Sequence, residues 1–252
     1  MKRIIEVGSL KIGEGIPKIC VPIVGATKED IINTAELIKE SEADFVEWRA
    51  DFFEDIDQWK EVEATLQELK FSLGNKPILF TIRTSKEGGN LSISSSEYFK
   101  LNSNVIKSGL ADLIDIEYCT DKSIITNLVE EAKKLNVYTI ISNHDFEGTP
   151  NKNEIINKLC EMQKINGDMV KVAVMAKEKR DVFILMEATE EMARVHADRP
   201  IITMSMSSLG KISRVTGEVF GSDVTFATVG EESAPGQMHV GKVKMLLKLL
   251  HE

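Results

Sequence analysis

The sequence predicts an α/β fold, a single (β/α)8 TIM barrel, on two observations. Eight short β-rich segments recur at intervals of roughly 25–35 residues, the length of one βα unit, and helical apolar patterns lie between them. Several of these segments end in a charged or polar residue or are followed by one, and in such a barrel the carboxyl ends of all strands meet at one mouth. We therefore interpret residues 1–252 as one domain with a single functional site.

The predicted barrel strands are short apolar runs bounded by Gly, Asn, Asp or Pro. They cover residues 18–24, 44–49, 77–83, 112–118, 137–144, 169–175, 200–206 and 223–229. The segment of residues 1–15 stands outside the alternation. We expect this segment to form an N-terminal β-hairpin that turns near Gly8 and covers the bottom of the barrel.

The helices between the strands are predicted from apolar residues that recur at helical spacing. They cover residues 28–41, 94–108, 122–135, 152–165, 180–196 and 240–251. Residues 215–220 offer only a short helix, which makes the unit after the seventh strand the weakest of the eight. The sequence contains no linker or low-complexity segment that would divide the chain.

Composition and charge exclude several classes of protein. With 42% hydrophobic and 28% charged residues, the chain has the composition of a globular protein, and no apolar run reaches the ~18 residues that span a bilayer. The net charge of −9 argues against nucleic acid or an anionic membrane as a partner. Glu6 interrupts the first apolar residues, so we expect no secretory segment and a cytoplasmic protein. Cys20, Cys119 and Cys160 lie far apart and predict no disulfide framework.

Lys171 is the most unusual residue of the sixth predicted strand. Period two places Met169, Lys171, Ala173 and Met175 on one face and three valines on the other. Burial disfavours the charged form of an amine, and a neutral amine attacks a ketone or aldehyde to form a Schiff base. The alternative interpretation is a strand-end lysine whose ammonium stretches to solvent.

Further polar residues follow the other predicted strands, and a barrel would gather them around one mouth. They are Glu47, Arg49, Arg83, Glu87, His144, Arg214, Ser233 and Gln237. Each alone has an ordinary interpretation, such as a surface ion pair for Glu47 and Arg49 or a structural imidazole for His144. Together they favour a site, and three arginines predict an anionic substrate, most simply a carboxylate. Asp115 and Glu117 share one face of the fourth strand and point either into the barrel or to its edge.

Several motifs are specific enough to indicate a family. They are Glu47-Trp48-Arg49, Thr81-Ile82-Arg83, Lys86-Glu87-Gly88-Gly89, Ser142-Asn143-His144-Asp145-Phe146, Lys171-Val172-Ala173-Val174-Met175, Ile212-Ser213-Arg214 and Ser233-Ala234-Pro235-Gly236-Gln237. In these motifs, over essentially its whole length, the chain resembles the type I 3-dehydroquinate dehydratases of the shikimate pathway. One position departs from the family pattern. Pro22 stands where relatives carry a serine that lines the pocket, and a proline offers neither a hydroxyl nor a backbone N–H there.

The resemblance implies a reaction and a role for each residue. The chain would convert 3-dehydroquinate to 3-dehydroshikimate by syn dehydration, on the way to chorismate and the aromatic amino acids. Lys171 would form the Schiff base, His144 would act as general acid and base, and Glu87 would orient His144. Arg214 would clamp the substrate carboxylate, and the loop of residues 233–237 would close over it. The remaining substrate contacts would come from Glu47, Arg49, Arg83, Ser233, Gln237, Met204 and Met206.

The resemblance also implies that no cofactor and no metal take part, that the small-molecule substrate is the ligand, and that the chain forms a homodimer. No cluster in the sequence has metal-ligand spacing. Two alternatives remain for the residues themselves. A class I lysine Schiff-base aldolase uses the same barrel and the same iminium, and a non-catalytic barrel could bind a carboxylate for regulation or assembly.

Overall fold

The computed structural model describes residues 2–230 and 234–251. Two short strands, β1 (Ile5–Val7) and β2 (Leu10–Ile12), precede a parallel sheet of eight strands. The eight are β3 (Lys18–Ile23), β4 (Phe45–Arg49), β5 (Ile78–Thr81), β6 (Leu113–Glu117), β7 (Tyr138–Asp145), β8 (Met169–Met175), β9 (Ile201–Met206) and β10 (Val224–Phe226). Their order in the sheet is β10-β3-β4-β5-β6-β7-β8-β9, so every predicted barrel strand is confirmed. Strands β3 to β9 each pair with the next strand along the chain, and β10 pairs with β3.

The sheet closes on itself between β9 and β10. The Asp223 N–H, just before β10, donates to the Ile201 carbonyl at 2.8 Å, and the Asp223 carboxylate accepts from the Ile201 N–H at 2.8 Å. Ser222 Oγ accepts from the Thr203 N–H at 3.0 Å. These bonds join the first and last strands of the sheet and complete the predicted barrel.

Helices alternate with the strands around the barrel. They are α1 (Lys28–Lys39), α2 (Trp59–Leu73), α3 (Ser95–Ser108), α4 (Lys122–Lys134), α5 (Lys152–Lys164), α6 (Lys179–Glu191), α7 (Gly217–Phe220) and α8 (Val240–His251). Thr27, Ser94 and Asn151 begin α1, α3 and α5, because each side chain accepts from the N–H three residues later. The predicted helix of residues 180–196 is α6 followed by a π-helical turn. In the described ranges, none of the helices is both long and apolar enough to cross a membrane.

Helix α2 was not identified in the sequence. Its buried residues Val62, Leu66, Leu69 and Leu73 recur at spacings of four, three and four, so the helical period is present. Gln58 precedes the helix without forming a side-chain cap, and the usual sequence signal for a helix start is therefore missing. The helix completes the βα unit between β4 and β5.

Residues of each barrel strand alternate between two apolar layers. In β8, the three valines at 170, 172 and 174 pack between the barrel and the helices, whereas Met169 and Ala173 face the barrel interior. Lys171 lies between Met169 and Ala173 in this alternation and therefore points into the barrel.

The predicted N-terminal hairpin is confirmed, and it covers the bottom of the barrel. Strands β1 and β2 pair in antiparallel register, and Gly8 between them adopts φ 58°, a conformation that glycine allows without strain. Ile5 and Ile12 are buried against side chains from the amino ends of the barrel strands, among them Phe45, Leu79, Leu113, Ile140 and Met169. Arg3 pairs with Asp168 at the same end. The opposite, carboxyl end of the strands is left for a site.

Candidate active site

A cavity of about 230 Å³ opens at the carboxyl ends of the strands. Its lining includes Glu47, Arg49, Arg83, Glu87, His144, Lys171, Met204, Met206, Arg214 and Gln237. Every predicted site residue except Ser233 therefore lies in one pocket, and Ser233 falls outside the described residues. Another cavity, of about 290 Å³, lies on the outer side of the barrel beside Trp59 and Leu101, away from the end where this fold places its chemistry.

Lys171 is held inside the barrel between two carboxylates. Its side chain is 4% exposed, and Nζ lies 3.8 Å from Glu47 Oε1 and 3.7 Å from Asp115 Oδ2. The ring of Phe226 covers it, with 4.2 Å between Nζ and the ring centroid. The alternative of a lysine that stretches to solvent is therefore wrong. Among the described residues, Asp115 Oδ2 has no hydrogen-bond partner, so this buried oxygen faces the lysine without being saturated by another donor.

Arg83 organises the carboxylates beneath the lysine. Its guanidinium donates to Asp115 Oδ1 and Glu117 Oε1, both at 2.9 Å, and to Ser142 Oγ at 3.1 Å. Burial disfavours the charge on Arg83, but the surrounding carboxylates, Asp115 first, raise its pKa above the usual value. Arg83 reaches the pocket as predicted, yet most of its donors are engaged within the protein.

Asp115 and Glu117 both point into the barrel, where they pair with Arg83, and not to the edge of the strand. Strand register explains their place, because Glu117 pairs with Ser142 and Ser142 pairs with Lys171 in adjacent strands. Residues in register on neighbouring parallel strands point to the same face of the sheet, so Glu117, Ser142 and Lys171 all point into the barrel. Neither residue is among the predicted site residues, although polar residues at inward positions of consecutive strands are a signal that indicates them.

His144 and Glu87 form a hydrogen-bonded pair next to Lys171. His144 Nδ1 lies 3.0 Å from Glu87 Oε2, and the same oxygen accepts from the His144 backbone N–H at 2.9 Å. The other carboxylate oxygen, Oε1, accepts from the Asn143 amide at 2.8 Å. This geometry fits the predicted orientation of His144 by Glu87, and Asn143 is a further partner that was not predicted.

Burial shifts the pKa values of the two members of this pair in opposite senses. It raises the pKa of Glu87 to about 7, although Arg83 and the Asn143 amide act in the other direction. It lowers the pKa of His144 well below its usual value, and the positive charges of Arg83 and Lys171 add to this shift. The imidazole is therefore neutral at neutral pH and available as a base.

Two glycines allow Glu87 to reach the strand end. Glu87 closes a short 3-10 turn (Ser85–Glu87), after which Gly88 adopts φ 77°. The Gly89 N–H donates to the Thr84 carbonyl at 2.9 Å, and a Cβ on Gly89 would lie 1.9 Å from the Arg83 carbonyl oxygen. The Gly88-Gly89 pair thus serves a tight turn that presents Glu87 to the pocket.

Arg49 and Glu47 are not paired with each other. Arg49 forms a two-pronged ion pair with Asp51, with distances of 2.7 and 2.8 Å, and Asp51 also accepts from the Arg83 N–H. Glu47 Oε1 accepts from Thr81 Oγ1 at 3.0 Å. The surface ion pair considered for Glu47 and Arg49 is therefore wrong, because both are buried and each has a different partner.

Arg214 connects the pocket to the loop after β10. It is 1% exposed, and its guanidinium donates to the Pro235 carbonyl at 3.1 Å and to the Phe226 carbonyl at 3.4 Å. Gly236 adopts φ 80°, and a Cβ there would lie 2.1 Å from the Ser207 carbonyl oxygen. This close approach explains the glycine and brings the loop, with buried Gln237, against the end of β9.

Pro22 lies in β3, opposite Glu47 in the register of β4. It is buried and is not among the side chains that line the pocket. The pairing of β3 with β10 ends at Cys20 and Phe226, two residues before Pro22. A proline cannot donate to the next rung of the ladder, so the departure from the family pattern coincides with the end of this pairing.

Within residues 2–230 and 234–251, no group of three or more His, Cys, Asp or Glu side chains has an arrangement that could hold a metal ion. The functional groups of the pocket are instead an amine, an imidazole, carboxylates and guanidiniums. Such a set supports covalent and acid–base chemistry on an anionic carbonyl compound.

Comparisons with known proteins agree with this chemistry. The family model described as Type I 3-dehydroquinase matches residues 19–252. The chain is 48% identical to the 3-dehydroquinate dehydratase of Clostridioides difficile (strain 630), over 100% of this chain and 99% of that protein. It is 47% identical to the 3-dehydroquinate dehydratase of Bacillus licheniformis, again over 100% of this chain and 99% of that protein.

Solved structures give the same result. The crystal structure of a type I 3-dehydroquinate dehydratase from Clostridium difficile, with covalent modified comenic acid, matches with a TM-score of 0.97 and 48% identity, over 100% of this chain and 99% of that one. The 3-dehydroquinate dehydratase from Geobacillus kaustophilus HTA426 matches with a TM-score of 0.95 and 38% identity, over 98% and 96% of the two chains. From its fold, its pocket and these relatives, the chain belongs to the type I 3-dehydroquinase family.

Proposed function

We propose that this chain dehydrates 3-dehydroquinate to 3-dehydroshikimate through an imine on Lys171. The observation that carries the proposal is a buried amine between two carboxylates, beside the His144 imidazole, in a pocket with arginines. The names of the relatives supply the substrate. The covalent modified comenic acid of the C. difficile relative supports a covalent mode of attachment.

The substrate is a cyclic β-hydroxy ketone that carries a carboxylate. The Lys171 amine attacks the ketone carbon C3, and loss of water gives an iminium. The iminium draws electrons from the adjacent C–H bond, so the C2 proton can leave and a neutral enamine forms. The enamine then expels the C1 hydroxyl as water, and hydrolysis of the resulting iminium returns the amine and releases a conjugated enone. One water is lost overall.

His144 is the group that we propose to move protons in this sequence. As a neutral imidazole it takes the C2 proton, and as the imidazolium so formed it protonates the departing hydroxyl. One residue can perform both steps when the proton and the hydroxyl leave from the same face, which is a syn elimination. Glu87 holds Nδ1, so that Nε2 is left to act on the substrate.

Glu47 and Asp115 would stabilise the iminium. Both carboxylates lie within 4 Å of the nitrogen that carries the positive charge after imine formation. Their geometry is already set, by Thr81 for Glu47 and by Arg83 for Asp115, so they need not reorganise as the charge develops on the bound ligand. No cofactor or metal is required for this chemistry.

Arg214 is proposed to bind the substrate carboxylate, with the loop of residues 233–237 closing over the ring. We propose further substrate contacts from six other side chains that line the pocket, namely Glu47, Arg49, Arg83, Gln237, Met204 and Met206. We also propose, from the family, that the chain acts in the cytoplasm as a homodimer.

The proposed activity is tested by adding 3-dehydroquinate to the purified chain. Formation of the conjugated enone should raise the ultraviolet absorbance, and the rate should saturate with substrate concentration. A folded protein that produces no enone at saturating substrate would contradict the proposal. An aldolase would instead split the substrate, so chromatography of the products separates the two reactions.

Replacing Glu87 with glutamine should change the pH dependence more than the rate. Below about pH 7 the Glu87 carboxyl gains a proton that it can donate to His144 Nδ1, which leaves Nε2 protonated and unable to act as a base. Wild-type kcat/KM should therefore decrease as the pH falls below about 7, and this decrease is the acid limb of its pH profile. In Glu87→Gln this limb should be lost or displaced, and kcat should fall by about tenfold, less than for loss of the base itself. An unchanged acid limb would exclude Glu87 from the ionisation.

Replacing Arg214 with alanine should lower kcat/KM by about 10²-fold, the scale of losing a charge-assisted pair with a carboxylate. Arg214→Lys should recover only part, because an ammonium lacks the planar fork of donors. The same change removes the bond to the Pro235 carbonyl, so amide exchange across residues 234–238 should become faster. Equal kcat/KM in the wild type and the alanine variant would contradict the binding role, and unchanged amide exchange would contradict the link to the loop.

A further inference from the structure

A chain of hydrogen bonds links helix α5 to the catalytic pair. Lys158 Nζ, on α5, donates to Asn143 Oδ1 at 2.6 Å, and Asn143 Nδ2 donates to Glu87 Oε1 at 2.8 Å. Glu87 Oε2 then lies 3.0 Å from His144 Nδ1. The mechanism above uses His144 and Glu87 but gives no function to Lys158 or Asn143.

The chemistry of lysine fixes the direction of this chain. An ammonium only donates, so its partner on Asn143 must be the amide oxygen. The amide nitrogen is thereby turned toward Glu87. Period two places Asn143 and His144 on opposite faces of β7, and the Glu87 carboxylate bridges them with one oxygen on each.

We propose that Lys158 and Asn143 are positioning residues that hold the Glu87 carboxylate ionised and directed at His144. The inference rests on the proposed function, because it assigns the two residues to the acid–base pair of that reaction. An amide that donates to a carboxylate favours its ionised form. Without the Lys158 anchor the amide can rotate and present its oxygen instead, which repels the carboxylate and favours its protonated form.

Lys158 differs from the other charges around the pair because it acts through a fixed amide. The ionisable groups that face Glu87 and His144 from the surrounding elements are Arg49, Arg83, Asp115, Glu117, Cys119 and Lys171. All of them are retained when Lys158 alone is changed. A change in the acid limb of Lys158 variants can therefore be assigned to the Lys158–Asn143 link, provided that simple loss of a positive charge is controlled.

The test compares the pH dependence of kcat/KM for Lys158→Met and Lys164→Met. Lys164 lies on the same helix, is exposed, and its removal changes the net charge equally. In Lys158→Met the acid limb should move to higher pH by about half a unit to one unit, the effect of weakening one charge-assisted hydrogen bond. Lys164→Met should keep the wild-type limb, and Lys158→Arg, which retains a cationic donor, should restore it.

An acid limb in Lys158→Met that matches that of Lys164→Met would overturn the inference, whether both shift or neither does. If Lys158→Met fails to fold, as judged by circular dichroism, Lys158→Gln provides the same comparison. Borohydride trapping separates this failure from failure of the proposed function. An adduct on Lys171 with an unmoved limb rejects only the positioning role, whereas an active wild type without an adduct rejects the imine on which the inference rests.

Discussion

Replacing Lys171 with alanine should reduce turnover by at least about 10⁴-fold, the order of loss seen when a covalent nucleophile is removed. Nearby side chains cannot substitute for the amine, because the groups that flank it are the carboxylates of Glu47 and Asp115. Without the imine, the C2 proton must leave a neutral ketone. Steady-state kinetics of enone formation measure the loss.

The same substitution should also lower the free energy of unfolding. Glu47 and Asp115 would be left buried without the cation that lies between them, at a cost of about 1–3 kcal/mol. Urea unfolding measures this difference and shows whether the variant remains folded. Lys18→Ala is a suitable control, because Lys18 begins β3 at the opposite end of the barrel and should leave turnover unchanged. Turnover of Lys171→Ala within about tenfold of the wild type would contradict the account.

Replacing His144 with alanine should reduce turnover by about 10²- to 10⁴-fold, the range for loss of general acid–base catalysis. The imine should nevertheless form, since the amine and the ketone remain and water can transfer the protons of that step. The variant should therefore accumulate a borohydride-trappable adduct while producing little enone. Quenched-flow trapping alongside the steady-state rate measures both quantities.

His196→Ala supplies the matched control for this prediction. His196 is exposed at the end of the π-helical turn after α6, far from the pocket lining. It should behave as the wild type in both assays. If His144→Ala keeps wild-type turnover, His144 is not the base. If it forms no adduct while remaining folded, His144 is needed to make the imine, and the order of its proposed roles must change.

The barrel could be predicted from the sequence because its strands have a simple signal. In β8, outward-facing valines alternate with inward-facing residues, and Lys171 is one of the latter. The other strands recur along the chain at the spacing of a βα unit. The same rule placed the polar strand ends at one mouth, which is why Glu47, Arg83 and His144 were expected together. These inferences need only the local period of apolar residues and the common direction of the strands.

The partners of these residues could not be predicted, because they depend on the register between strands that are distant in sequence. Arg83 meets Asp115 across 32 positions, and nothing local indicates that its donors are engaged there instead of facing solvent. The contact of Arg214 with the Pro235 carbonyl depends on how the last loop folds back. Sequence spacing predicts which groups share a pocket, whereas register and loop geometry decide which of them bind each other.

Mass spectrometry after borohydride reduction tests the central claim most directly. The enzyme is mixed with 3-dehydroquinate, reduced and digested with trypsin. A reduced Schiff base adds the mass of the ligand less one oxygen atom and blocks cleavage at Lys171, so the adduct should appear on one peptide that spans residues 165–177. An adduct on a different lysine, or none while the enzyme remains active, would contradict the assignment of Lys171.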